Sequence, residues 1–355
     1  MNGAALRRNT FYIPLDFLCA LRAPALRSLR PASHKSLNNP NKKRYEVGVS
    51  KGLRLGSYQR SGKIVSLLFL SVALLVSVAA QAQTDSKELV IKGQYIFSLA
   101  GGCACHSDPK GTQHAGGRAL PIPFGTVYST NLTTDKETGL GGWTEQQIAD
   151  ATTKGIRRDG SRILPVMPYG LYSGMAQDDL KSLIAFLRTL KPVRKPTPEL
   201  QTSVPVLRSV VAEGWLKAFG QFFIPPPTAP KNGIERGKYL TEHVAICGDC
   251  HTPRSSIGVP NRAMYMAGAS KDIGPLGELV PNITPDKDTG IGTWIREDIA
   301  ELLRKGTKPD LDYVRGLMFD VIEGTSHGFR NMSREDALAI ADYLKSIPAI
   351  KNRIK

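Results

Sequence analysis

Apolar residues recur at helical spacing in several stretches, and the clearest of these come in pairs. Leu180, Leu183, Ile184 and Leu187 line one face of a helix, as do Leu338, Ala341, Tyr343 and Leu344. Ser333, followed by Glu335 and Asp336, supplies an N-cap and an acidic first turn for the second of them. Ile148 with Ala151 and Thr152, and Ile299 with Leu302 and Leu303, predict a shorter helix in each half, stopped by Gly155 and Gly306. A further helix is expected over about 87–100 and again over about 233–246. The expected fold class is therefore all-α.

A different pattern precedes these helices. Arg60 and Lys63 lead into an unbroken apolar run from Ile64 to Ala80, and Ala80-Gln81-Ala82 supplies a small-x-small cleavage site. That order predicts a secretory signal peptide over 56–82, although the run is also close to the shortest that spans a bilayer as an uncleaved anchor. Residues 1–55 are rich in Arg, Ser, Asn and Pro without periodicity, and are expected to be a disordered or mis-assigned leader. Charge follows the same division. Of 47 Lys+Arg and 31 Asp+Glu, residues 1–82 hold 13 and 2, so the remainder is close to neutral and nucleic-acid binding is not indicated.

The pairing extends beyond hydrophobicity. Asn131-Leu132-Thr133-Thr134-Asp135, Thr138-Gly139, Trp143, Gly155 and Met167 are matched 151 positions later by Asn282-Ile283-Thr284-Pro285-Asp286, Thr289-Gly290, Trp294, Gly306 and Met318. Lys92-Gly93-Gln94-Tyr95 and Arg236-Gly237-Lys238-Tyr239 each stand at one distance before a cysteine. The chain thus contains two copies of one unit, each expected to have its own core. The expected boundaries are 83–195 and 232–355. The proline-rich stretch 196–231 is expected to be the linker. Its Trp215-Leu216-Lys217-Ala218-Phe219 and Phe222-Phe223 also suit a surface that docks a partner or a membrane.

The chemistry lies at the start of each copy. Cys247-Gly248-Asp249-Cys250-His251 has the spacing by which two thiols reach the vinyl groups of one porphyrin edge while the next imidazole ligates the iron. A redox dithiol would not need the histidine, and a zinc site would need a second ligand pair. The first copy reads Cys103-Ala104-Cys105-His106, one residue short, so Cys105 keeps its geometry and Cys103 must span a shorter chord. Gly101 and Gly102 give the backbone freedom there. The two motifs predict two covalently bound haem c groups, held by Cys103, Cys105, Cys247 and Cys250, with His106 and His251 as iron ligands.

Two methionine pairs compete for the sixth position. Met167 and Met318 keep the 151 offset and are expected in irregular segments. Met175 and Met332 keep the 157 offset of the last helix and precede its first turn, where an apolar residue serves as a hydrophobic staple. Met167 and Met318 are the expected ligands. His114, His243 and His327 do not recur and are expected at surface or supporting positions. Met264 and Met266 are expected to be packing residues, and Trp143 and Trp294 to be core residues rather than haem-lining ones.

Taken together, the Asn-x-Thr, Thr-Gly and Trp stretches, Met167-Pro168-Tyr169, Arg236 to Leu240, Cys247 to Arg254 and Tyr343-Leu344-Lys345 make residues 88–355 resemble a known family. It is that of the multihaem cytochrome c subunits of membrane-bound bacterial alcohol, gluconate and sugar dehydrogenases. The resemblance implies two class I cytochrome c domains, a methionine ligand at the Met-Pro-Tyr position, and electron transfer from a periplasmic dehydrogenase or other redox donor to the respiratory chain. It also implies a periplasmic location, with possible attachment to the inner membrane surface. A dihaem peroxidase or thiosulfate-oxidising enzyme is a competing class, disfavoured by a methionine at one position in both copies. A docking subunit with one vestigial haem site is another.

Overall fold

The computed structural model of the chain describes residues 81 and 83–354, apart from 205, 207–209, 271–276, 278, 324 and 325. The expected leader and nearly all of the expected signal segment lie outside the described residues. All described residues belong to one compact unit within Ile64–Lys355.

Each copy is built on a crossing of its first and last helices. In the first copy α1 (83–99) meets α4 (Gln177–Leu187), with α2 (Glu145–Lys154) and the single turn α3 (Tyr169–Tyr172) between them in sequence. The crossing is close because Gly93 has no side chain: a Cβ there would lie 1.8 Å from the Ser182 carbonyl oxygen. In the second copy α6 (Gly233–Tyr239), prolonged by a wider turn over Leu240–Val244, meets α10 (Arg334–Ser346). There Gly237 would place its Cβ 1.8 Å from Ala339 O. The short α7 (Cys247–His251), α8 (Arg296–Lys305) and α9 (Gly316–Ile322) complete this copy. As the pattern predicted, α2 and α8 end at Gly155 and Gly306 in left-handed conformation, and Ser333 caps α10 by accepting from Asp336 N.

The copies exchange contacts reciprocally. Tyr95 of the first copy donates its hydroxyl to Asp336 Oδ2 (2.8 Å) and accepts from Ser333 N (3.1 Å) at the start of α10. Tyr239 of the second donates to Asp179 Oδ2 (2.7 Å) and accepts from Ala176 N (3.1 Å) at the start of α4. Each aspartate is also paired within its own copy, Asp336 with Arg236 and Asp179 with Lys92. The Lys92 ammonium is 2.8 Å from Asp179 Oδ1, as an ion-pair contact rather than an aligned hydrogen bond. Such a pattern, in which i meets j′ and j meets i′, is an isologous interface folded into one chain. The expectation of two separate cores is corrected accordingly: Ile96, Phe97, Leu183 and Phe186 share one apolar cluster with Leu240, Val244, Ile340 and Leu344.

Two features depart from an all-α fold with a linker. A three-stranded antiparallel sheet forms from β1 (Ala119–Ile122), β2 (Gly125–Tyr128) and β3 (Gln201–Thr202), in that order. Its strands are too short, and too interrupted by Pro121 and Pro123, to announce themselves by alternation. β3 lies inside the stretch expected to be a linker, which also carries α5 (Ala212–Phe219). Ala212 packs with Leu120, Val127 and Leu164 in a small second cluster. The carbonyls of Pro226 and Pro227 accept from Gln177 N (3.0 Å) and Asp178 N (3.3 Å), capping α4 where Ala176 has no oxygen to do so. No helix among the described residues is long and apolar enough to cross a membrane.

Candidate haem centres

Each candidate ligand histidine is fixed by its own neighbourhood. The Nδ1 of His106 lies 2.8 Å from Thr130 O, and that of His251 lies 2.8 Å from Pro281 O. A carbonyl only accepts, so Nδ1 carries the proton and Nε2 keeps its lone pair, the tautomer an iron ligand needs. The recurring asparagines explain why those carbonyls are in place. Asn131 and Asn282 are buried, accept from Thr133 N and Thr284 N (2.9 Å each), and donate to Val193 O and Ile350 O (2.8 Å each). Each thereby ties the loop after Thr130 or Pro281 to the chain beyond the last helix. Burial holds both imidazoles below their ordinary pKa, and their carbonyl bonds oppose that shift.

The thiols differ from those of a redox site. Burial pushes Cys103 and Cys247 up to about 12, and it raises Cys105 and Cys250 as well. A reactive dithiol needs a depressed pKa, so neutral buried sulfurs fit attachment to an apolar ring better than thiol–disulfide exchange. No disulfide joins any of the four.

The shortened first motif is accommodated by a backbone device. Gly101, Gly102 and Cys103 have φ of 65°, 60° and 47°, three consecutive left-handed residues, and the segment Gly101–His106 winds as a tight helical turn. In the second copy a single left-handed residue, Ile246 (φ 47°), precedes the regular helix α7. A left-handed non-glycine residue costs about 1–2 kcal/mol.

In front of the first motif lies a cavity of about 950 Å³, at the upper end of the roughly 300–1,000 Å³ typical of ligand pockets. Its walls include Cys103, Cys105, His106, Met167, Trp143 and Tyr172. Ring, thiols, imidazole and thioether thus have one common space, and the residues present fit a haem. Trp143 packs half-buried against the core, as expected, and also lines the cavity wall. The second copy contributes Ala245, Ile246, Asp249, Cys250 and Arg254 to the same cavity. The two attachment turns therefore meet there, with Arg254 holding Asp249 by an ion pair. Around the second motif, Tyr265 crowds Gly248, whose Cβ would stand 2.4 Å from the ring, and Tyr343 donates to Glu242.

The methionines separate by burial. Met175 and Met332 are 1% exposed and lie within the shared core, each directly before the N-cap of α4 or α10. Met167 precedes α3 in an irregular segment, as expected. Met318 does not: it lies in the first turn of α9, half-buried against the core. Of the surface or supporting positions expected for His114, the structure excludes the surface. His114 is 6% exposed, stacked edge-on to Phe97 at 5.1 Å, with neither ring nitrogen hydrogen-bonded. Its structural counterpart is Met266: both have φ near 60°, and their carbonyls accept from Leu132 N and Ile283 N in the chain ahead. The two match in place but not in chemistry, which is why sequence reading left both without partners.

The tandem attachment turns, carbonyl-fixed histidines and buried thiols define a c-type cytochrome. The chain belongs to the dihaem c-type cytochrome family: it is 36% identical over 269 residues to a diheme cytochrome c of Cereibacter sphaeroides, covering 73% of this chain and 86% of that protein. It is also 37% identical over 265 residues to the fructose dehydrogenase cytochrome subunit of Gluconobacter japonicus, covering 73% of this chain and 53% of that subunit. With the gluconate 2-dehydrogenase cytochrome c subunit of Pantoea cypripedii it shares 35% over 302 residues, 80% of this chain and 65% of that one. The chain thus spans a little over half the length of the fructose dehydrogenase relative. No protein-family model matches the chain.

Proposed function

We propose that the chain carries two covalently bound haem c groups and passes electrons from a periplasmic dehydrogenase to the respiratory chain, as a carrier rather than a catalytic subunit. In this reading Cys103, Cys105 and His106 hold the first haem, and Cys247, Cys250 and His251 the second. Met167 and Met318 supply the sixth ligands. Bound haem supplies the one-electron chemistry; the protein supplies ligation, a dry surrounding and partner geometry. The reading rests above all on two Nδ1-to-carbonyl bonds, from His106 and His251, each at the same 2.8 Å beside buried neutral thiols. The two copies, with their cytochrome c motifs, act as tandem domains clasped into one body. The dehydrogenase partner is supported by the relatives named as cytochrome subunits of such enzymes.

A haemochrome assay on the exported protein tests this. It should return two haems per chain, each taking up one electron in a reductive titration. A protein exported without covalent haem would overturn the reading.

A further inference from the structure

The segment expected to be a linker is tied to the loop that carries Met167. Arg162 stands in that loop, ahead of the methionine, and Glu213 lies in the first turn of α5. The guanidinium meets the carboxylate through Nε and Nη2, each 2.6 Å from Oε1, and donates through Nη1 to Lys154 O (2.8 Å) at the end of α2. Beside the pair, Ala212 is 2% exposed and packs with Leu164, and Val166 lies against the same cluster. Further along α5, Trp215 donates its Nε1 to Ile257 O (3.1 Å) in the second copy. Ala212, Trp215 and Met167 line one cavity, that of the first attachment turn. The second copy is built differently here. By the 151 offset Arg162 corresponds to Tyr313, and both stand in the same antiparallel bridge, to Ile156 and to Thr307. Tyr313 lies against Gly306, whose Cβ would stand 2.6 Å from its ring, and faces Phe319 at 6.2 Å. A tyrosine forms no ion pair, so the loop before Met318 has no such tie at this position.

We propose that the Arg162–Glu213 pair is a latch that holds the Met167 loop closed and so keeps the thioether in place at the first haem site. This rests on the reading of Met167 as a sixth ligand. For Met167 to withdraw and admit a competing ligand, its loop moves away from α5, which breaks the ion pair and the Ala212–Leu164 contact. The exchange replaces one neutral donor by another, with no electron or proton moved. A competitor binds the open form, so its apparent affinity is its intrinsic affinity reduced by the fraction of molecules that are open. An ion pair made only in the closed form lowers that fraction. Neither Arg162 nor Glu213 lines the cavity, so both act through the loop, as positioning residues.

Ligand exchange separates this role from a merely structural one. The full-length exported protein, oxidised, is titrated with imidazole while the sulfur-to-iron charge-transfer band is followed. E213Q should bind imidazole about two- to five-fold more tightly at one site, the size expected of a partly exposed ion pair, and leave the other site unchanged. R162Q, which also loses the bond to Lys154 O, should do so at least as strongly, and E213Q should add nothing in the R162Q protein. In Met167→Ala, where there is no thioether to displace, E213Q should have no effect on imidazole binding. Imidazole binding unchanged at both sites in E213Q and R162Q, or an E213Q effect that persists in Met167→Ala, would overturn the latch and leave Met167 as the ligand. A charge-transfer band at full strength in Met167→Ala would overturn the ligand reading and the latch together.

Discussion

Tyr95 and Asp336 stand 241 residues apart in the chain, yet the tyrosine hydroxyl donates to the carboxylate at 2.8 Å. Tyr239 and Asp179 repeat the bond with the copies exchanged. Each tyrosine also takes the first free N–H of the opposite copy's last helix, so helix capping in one copy depends on the other. The two are unequal in cost. Asp179 is fully buried, whereas Asp336 keeps two bonds from Arg236.

Tyr239→Phe should therefore destabilise the folded protein by about 1.5–3 kcal/mol, the range for a lost hydrogen bond to a charged group. Tyr95→Phe should cost less, because the Arg236 pair remains. Denaturant unfolding of the haem-loaded proteins measures both, and equal losses would contradict this ranking.

The close helix crossings allow no added carbon. Gly93→Ala or Gly237→Ala forces a backbone carbonyl aside, and each should cost about 1–3 kcal/mol or more. The midpoint of thermal unfolding is the measure, and an unchanged midpoint would show that the crossing yields.

Met167→Ala and Met318→Ala should each abolish the sulfur-to-iron charge-transfer band of one haem and lower its potential. Met175→Ala and Met332→Ala should keep that band and instead cost about 2–5 kcal/mol of stability, as core truncations do. The reverse pattern would transfer the ligand role to the second pair.

His114 is a source of acid sensitivity. Burial first, then the neighbouring His327 and His106, hold it down to about 4, against roughly 6.5 in the unfolded chain. Its neutral form is therefore favoured on folding. The stability it contributes is complete above about pH 6.5 and is lost as pH falls toward 4, by up to about 3 kcal/mol. His114→Met, which copies Met266 at the equivalent place, should flatten the stability profile between those limits. A profile unchanged by the substitution would show that other groups set it.

The left-handed run at Gly101 to Cys103 bears on haem attachment. Cys105 should carry a thioether, and Cys103 should carry one incompletely or not at all. Alkylation followed by mass spectrometry of the haem peptide gives the answer: a Cys103 that resists alkylation because it is bonded to haem refutes this.

What the sequence made legible was local. The attachment motifs, the capped helix at Ser333 and the glycine stops at 155 and 306 are each decided within a few residues. The constant 151 offset made the duplication plain as well. Contacts between copies were not legible, because nothing in the neighbourhood of Tyr95 or Arg118 names a partner more than 200 residues away. Met318 was expected in a loop because Gly316 reads as a breaker, but that glycine begins a helix at φ 60° instead. His114 and Met266 share one slot without sharing a chemistry, so no comparison of letters could pair them. The linker misled through its prolines, whose carbonyls serve as a cap for α4.

The reciprocal tyrosines also bear on how such a molecule can diverge. A homodimer of one unit must carry every substitution twice, once on each face of its axis. Fusing the units into a single polypeptide releases that constraint while keeping the clasp. The two halves are then free to differ, as they do in the shortened first turn and in His114 opposite Met266. The reciprocal tyrosine bonds hold the pair together whichever half has changed.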